Sequence, residues 1–186
     1  SRKPNALSMA EAAAFATAYT TAYVSLIRRG EMKPDDVVLI HGSSGGVGMA
    51  AVQLAKMFGN TIIATGTSDE KLEVVKSWGA DFVLNTLKDG VTAFREEVKD
   101  LTEGKGADVI YDPVGGDVFD ESIRCINWNG RLLIVGFTSG RLPSLPVNIA
   151  LIKGFSVIGV RAGEYGIRDP EKGAETKKII HELAET

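Results

Sequence analysis

The residues from Val37 to Phe58, VVLIHGSSGGVGMAAVQLAKMF, constrain the fold more than any other stretch of the chain. Val37, Val38, Leu39 and Ile40 form an unbroken apolar run, as expected of a strand covered on both faces. Val47, Ala50, Ala51, Leu54 and Phe58 then fall on one helical stripe. Between them stands Gly42-Ser43-Ser44-Gly45-Gly46-Val47-Gly48. Glycines in such a turn let the backbone reverse tightly, let a phosphate come close, and let the helix lie against the strand. The helix start presents free N–H groups and the positive end of its dipole to an anion. The bland alternative is a plain strand-to-helix turn. Strand, helix and loop length together predict dinucleotide binding.

With 186 residues, the chain is long enough for one well-cored domain and too short for two full ones. Its net charge of −3 carries no basic block, so the sequence recommends neither a nucleic-acid nor an anionic-membrane surface. No apolar run approaches the ~18 residues of a membrane span. A single cysteine, Cys125, excludes an internal disulfide and a multi-cysteine zinc site within the chain, and suits a reducing, cytoplasmic setting. Ser1-Arg2-Lys3-Pro4 has no signal-peptide core, and the last helical pattern runs almost to Thr186 without a stop. Both ends read as those of a piece of a longer protein.

Along the chain, Ser8-Met9-Ala10-Glu11 is a capping box opening an Ala-rich helix to about Arg29, closed by Gly30, with Phe15, Tyr19, Tyr23 and Leu26 as its core stripe. Strands are predicted at 37–40, 61–65, 82–84, 109–111, 132–135 and 155–160. Helices follow the first four strands, the fourth carrying Val118, Phe119, Ile123 and Ile126. A loop held irregular by Pro143 and Pro146 separates strands five and six. The last helix starts near Asp169-Pro170 and carries Ile179, Ile180 and Leu183. This alternation predicts a Rossmann-type doubly wound α/β fold: a six-stranded parallel sheet in the order 3-2-1-4-5-6 with helices on both faces. The turns at Gly42–Gly48, Gly66, Gly115-Gly116 and Gly136 would then gather at one edge of the sheet.

An NAD-preferring site places Asp or Glu at the end of the second strand, roughly 20 residues past the glycines, to hold the ribose 2′-hydroxyl. Here that corner reads Thr65-Gly66-Thr67-Ser68, and Asp69 and Glu70 come only at the following helix start. Ser68 could bond a 2′-phosphate and Lys71 could neutralise it, although a helix cap and a solvated charge would explain the same residues. The corner favours NADPH.

At this point the sequence resembles the zinc-independent quinone oxidoreductase branch of the medium-chain dehydrogenases/reductases. The resemblance lies in the glycine turn followed by Ala51-Val52-Gln53-Leu54-Ala55-Lys56, and in Thr21-Ala22-Tyr23, Gly66-Thr67-Ser68 with Lys71, and Trp78-Gly79-Ala80-Asp81. Asp112-Pro113-Val114-Gly115-Gly116 and Gly130-Arg131-Leu132-Leu133-Ile134-Val135-Gly136-Phe137 complete it. It covers all of the chain but only the family's nucleotide-binding domain, residues 1–186. The N-terminal GroES-like catalytic domain and the C-terminal segment returning to it would be absent. The resemblance implies Thr21 near the nicotinamide, and Gly45, Gly46, Val47 and Gly48 at the pyrophosphate. It further implies Gly66, Ser68 and Lys71 at the 2′-phosphate, and Val114, Gly115, Val135, Gly136 and Phe137 beside the nicotinamide. Where relatives often carry a ring after Asn85, this chain has Thr86, so one clamp on the adenosine phosphate is missing. The implied chemistry is hydride transfer from NADPH to a quinone or an α,β-unsaturated carbonyl, with no metal and, for the fragment alone, little turnover. A homodimer through the sixth-strand edge is also implied.

No residue of the chain offers itself as a general acid: Tyr111, Asp112, Arg161 and His41 read as structural, and His181 as a surface residue. A short-chain dehydrogenase would need Tyr and, four residues on, Lys; none of Tyr19, Tyr23, Tyr111 and Tyr165 has it. A phosphate-binding NTPase loop would need Gly-Lys-Ser/Thr where Gly48-Met49-Ala50 stands. An enoyl reductase, a zinc alcohol dehydrogenase, and a nucleotide-binding sensor without turnover remain as alternatives.

Overall fold

The computed structural model describes residues 3–88 and 90–185. The readings made at Ser1, Arg2 and Thr186 lie outside the described residues. Six strands form one all-parallel sheet: β1 (Val37–Ile40), β2 (Thr61–Gly66), β3 (Phe82–Asn85), β4 (Ala107–Asp112), β5 (Ile126–Ile134) and β6 (Ser156–Gly159). Their order is β3-β2-β1-β4-β5-β6, as the glycine-punctuated alternation predicts. Eight α-helices accompany them among the described residues: α1 (Met9–Tyr23), α2 (Gly46–Met57), α3 (Asp69–Ser77), α4 (Ala93–Leu101), α5 (Gly116–Ser122), α6 (Val147–Lys153), α7 (Ala162–Arg168) and α8 (Pro170–Leu183).

The sheet has a core on each face. One joins α1, α2 and α8 to Val38, Ile40, Ile62, Ala64, Val109, Tyr111 and Leu133. The other joins α4 and α5 to Leu39, Ile63, Ile110 and Leu132. Successive residues of β1 thus feed opposite cores, which is why the strand reads as a continuous apolar run rather than an alternation. Val38, Leu39 and Ile40 are fully buried, and each contributes about 1.5–3 kcal/mol of burial free energy.

The structure corrects the sequence reading in three places. The first helix does not stay α-helical to Arg29: Val24–Arg29 is a π-helical turn, closed by the Gly30 N–H donating to Ser25 O at 2.8 Å. Ile126 belongs not to the helix before it but to β5, opposite Ala107. The register between β4 and β5 then slips before Val109 meets Arg131. Positive φ at Asn129 (57°) belongs to that slip. Finally, Pro146 does not hold its loop irregular but caps α6, its fixed φ of −65° being preset for a helix start. Neither α6 nor α7 was expected.

Candidate nucleotide-binding site

All strands of a parallel sheet end on the same side, so their following loops converge there. Hydrogen bonds stitch these loops together in sheet order. Thr86, after β3, donates from its N–H (2.9 Å) and hydroxyl (3.2 Å) to Gly66 O at the end of β2. Ser43, in the glycine turn after β1, donates from its N–H (3.0 Å) and hydroxyl (2.9 Å) to Thr65 O. Beyond β4, Pro113 O accepts from Thr138 N at 3.1 Å and Val114 O from Ser139 N at 3.0 Å, joining the loops after β4 and β5.

The glycine turn divides its work between fold and open space. At Gly48 a Cβ would stand 2.3 Å from Gly42 O and 2.8 Å from Ser43 Cα, so only glycine lets α2 start against its own turn. At Gly46 a Cβ would meet nothing within 4 Å, and Gly45 and Gly46 are exposed. The N-cap of α2 is Gly45, which has no side chain to cap with, whereas Ser8, Ser68 and Asp169 cap α1, α3 and α8. The first N–H groups of α2 therefore face the crevice without a side-chain acceptor, a ready site for an anion.

Beneath the turn lies a buried polar chain. His41, at the end of β1, is fully buried, with Nδ1 2.8 Å from Thr65 Oγ1 and Nε2 2.8 Å from Ser122 Oγ. Ser122 gives its own proton to Val118 O at 2.7 Å, so its oxygen accepts from His41 Nε2–H and the neutral ring accepts from Thr65 at Nδ1. Burial pushes the imidazole pKa down to about 3. His41 is thus a packed, neutral residue, as its position predicts, and it ties β1, β2 and α5 together.

Asp112, also fully buried, organises the loop after β4: its Oδ1 accepts from Val114 N and Gly115 N, both at 2.8 Å. Burial raises its pKa, and those two N–H groups oppose the shift. Its Oδ2 is buried with no hydrogen-bond partner among the described residues. Burial likewise raises the pKa of Tyr111, whose hydroxyl faces Ser25.

Of the residues singled out in the sequence, the structure brings several together. Gly136 packs on Pro113, with a notional Cβ 3.1 Å from Pro113 O, and Gly115 lies against the Phe137 ring. Val114 touches the glycine turn at Gly42. Val114 and Val135 are half-buried and Phe137 exposed. Thr21 gives its hydroxyl proton to Thr17 O at 2.8 Å, and its carbonyl accepts from Ser25 Oγ at 2.6 Å. Its oxygen keeps acceptor capacity one turn from the residue facing Tyr111. Gly66 packs against Leu72. Ser68 Oγ accepts from Lys71 N at 3.4 Å, which confirms the cap but leaves its O–H to donate. Lys71 is exposed, and no ion pair engages its ammonium among the described residues. The sequence reading names Ser43, Thr65 and Thr86 but not the bonds that join their loops, because the partners lie 20 or more residues away. The Asp-Pro-Val-Gly-Gly string does signal an Asx-type turn, and Asp112 fills that role.

Comparison with known proteins agrees with this architecture. The family described as zinc-binding dehydrogenase matches residues 46–182. A quinone oxidoreductase-like protein 2 homolog of Nematostella vectensis is 39% identical over 169 residues, covering 90% of this chain and 45% of that protein. The nucleotide-binding subdomain of the enoylreductase domain of PpsC from Mycobacterium tuberculosis superposes with a TM-score of 0.78 at 31% identity, covering 89% of this chain and 91% of that one. A mycobacterial quinone oxidoreductase superposes with a TM-score of 0.80 at 30% identity, over all of this chain and 57% of its own. The chain spans about half the length of the curated relatives it first matches. Despite the family description, this chain's donors do not fit a zinc ion. Burial holds the Cys125 thiol up at about 12, both His41 nitrogens are engaged, and the described residues hold no cluster of three metal-ligating side chains. The chain belongs to the zinc-binding dehydrogenase family, as an oxidoreductase nucleotide-binding domain of the medium-chain dehydrogenase/reductase superfamily.

Proposed function

We propose that the chain is the NADPH-binding domain of a reductase acting on a quinone or an α,β-unsaturated carbonyl. The carrying observation is the glycine-capped, exposed start of α2 beside the open space at Gly46. There the first N–H groups and helix dipole would hold the pyrophosphate at Gly45, Gly46, Val47 and Gly48. Gly66, the free O–H of Ser68 and the unpaired Lys71 would hold the 2′-phosphate. Thr21, Val114, Gly115, Val135, Gly136 and Phe137 would line the nicotinamide side, where half-buried apolar surface excludes water and orients the ring. Bound NADPH supplies a hydride from its nicotinamide ring. The acceptor class rests on relatives named as quinone oxidoreductases and enoyl reductases. A quinone or enone takes up charge in conjugation and needs no metal.

Fluorescence titration tests this reading. NADPH is expected to bind more tightly than NADH, and Lys71→Ala to weaken NADPH about tenfold with NADH unchanged, the loss of one charge-assisted contact. In the same series, a full-length protein containing this domain is expected to oxidise NADPH with simple quinones or enones. Equal cofactor affinities untouched by Lys71→Ala, or no oxidation with either acceptor class, would overturn it.

Among the described residues no strand pairs with the outer edge of β6, Val157 on it is half-exposed, and Val147, Leu151 and Ile152 of α6 are exposed. A homodimer through this edge would pair the strand and cover the apolar side chains. Sedimentation at high concentration is expected to give a dimer, and a monomer there sinks the proposal. The lone buried Cys125 fits a cytoplasmic setting, and among the described residues no helix is long and apolar enough to cross a membrane.

A further inference from the structure

Asp69 opens α3 directly after Ser68 of the proposed 2′-phosphate corner, and its carboxylate is engaged from the β3 side. Gly66 at the end of β2 is the register partner of Asn85 at the end of β3, so Asn85 stands beside the corner. Its Nδ2 donates to Asp69 Oδ1 at 2.6 Å. Its Oδ1 accepts from Leu87 N at 3.0 Å and Lys88 N at 3.2 Å, an Asx-type turn that folds Lys88 back over α3. The Lys88 ammonium then lies 3.8 Å from Asp69 Oδ2. Both oxygens of Asp69 are thus engaged from the β3 side, while Ser68 and Lys71 are left for the ligand.

We propose that Asn85, assisted by Lys88, is a specificity-determining clamp that withdraws the Asp69 carboxylate from the ribose corner and so makes the corner accept a 2′-phosphate. A ribose 2′-hydroxyl is held by a carboxylate acceptor, whereas a 2′-phosphate needs donors and a cation and is repelled by a free carboxylate. With Asp69 tied down, Ser68 offers a donor and Lys71 a cation at the corner. Lys88 and Asp69 are both about two-thirds exposed, so their ion pair is weak and the amide bond from Asn85 does most of the holding. The inference rests on the NADPH reading above and names what enforces it.

The test is fluorescence titration with NADPH and NADH of the wild-type chain, Asn85→Asp and Lys88→Glu, each with and without Asp69→Asn. Asn85→Asp keeps the acceptor for Leu87 N and Lys88 N but replaces the donor with a charge that repels Asp69. It is expected to tighten NADH and to reduce the preference for NADPH about tenfold. Lys88→Glu changes only an exposed loop residue, so it reports even where Asn85→Asp impairs folding, and it should shift preference the same way by a smaller factor. Asp69→Asn should abolish the NADH gain in both variants. A wild type that prefers NADPH, with no shift in the variants or a shift equal with and without Asp69, overturns the clamp and leaves the 2′-phosphate reading standing. A wild type with no preference, unmoved by Lys71→Ala, removes that reading and the clamp with it.

Discussion

Gly48→Ala should lower the stability of the chain by about 3 kcal/mol or more, at the top of the range for forcing atoms into packed space, and should abolish nucleotide binding. The added methyl would stand 2.3 Å from Gly42 O, 2.8 Å from Ser43 Cα and 2.9 Å from Gly42 C, all backbone atoms with no rotamer to yield. Relief requires α2 to move off β1, which breaks the contact of Ala50, Ala51 and Leu54 with the sheet core. For a domain of this size a loss of about 3 kcal/mol lowers Tm by about 6–12 °C. Gly46→Ala separates the two duties of the turn. Its methyl meets no protein atom, and replacing glycine where the backbone is compatible restricts the unfolded chain, so the variant should be at least as stable as the wild type. It should nevertheless bind a nicotinamide dinucleotide more weakly, because the methyl occupies the space left to the ligand. Paired melting and titration curves check both, and a Gly48→Ala chain that melts with the wild type would refute the packing account.

His41 should make the chain acid-labile in a defined window. Burial holds its folded pKa at about 3 against an ordinary value of 6.5, so between these values the unfolded state binds a proton that the folded state refuses. The contribution is fully present above pH 6.5, falls by about 1.4 kcal/mol per pH unit below it, and by pH 4.5 amounts to a loss of about 2–3 kcal/mol. Asp112 acts in the opposite sense, since its raised pKa favours proton uptake by the folded state. His41→Gln isolates the histidine. At pH 7.5 it should be less stable by about 1–3 kcal/mol, the cost of leaving Thr65 or Ser122 unpaired. Because the variant lacks the titrating ring, the two stability curves should converge as the pH falls to 4.5. Urea unfolding across that range measures them, and parallel curves would contradict the assignment of a neutral, buried ring.

Elements with strong local signals were legible in the sequence. Strand β1 shows a run of four apolar residues, α1 its capping box, α8 its Asp-Pro start, and the strand order follows from alternation and short loops. Elements whose reason is tertiary were not. Helix α6 has no buried residue, so it has no periodic stripe to read, and its proline looked like a breaker when it is a starter. Ile126 is apolar enough for a helix or a strand, and only its partner Ala107 decides. In the site, glycines marked where the loops turn, because backbone geometry is local. The polar residues that bind loop to loop, Ser43, Thr65 and Thr86, carry no such mark, since a hydroxyl aimed at a distant carbonyl reads as a surface residue until the carbonyl arrives.

The seam of hydrogen bonds between neighbouring strand ends sets when the chain can become competent. Ser43 reaches Thr65 across 22 residues, Thr86 reaches Gly66 across 20, and His41 reaches Ser122 across 81. During synthesis the glycine turn is complete long before β4 and α5 exist to support it from below. A nascent chain ending after β3 would hold the turn's residues without the loop at Pro113 or the Ser122 acceptor for His41. Parallel sheets close only through such distant contacts, and their loop-closure entropy must be met before the contacts stabilise anything. The support of the turn from below, through His41 and Ser122, is thus the last of these contacts to form.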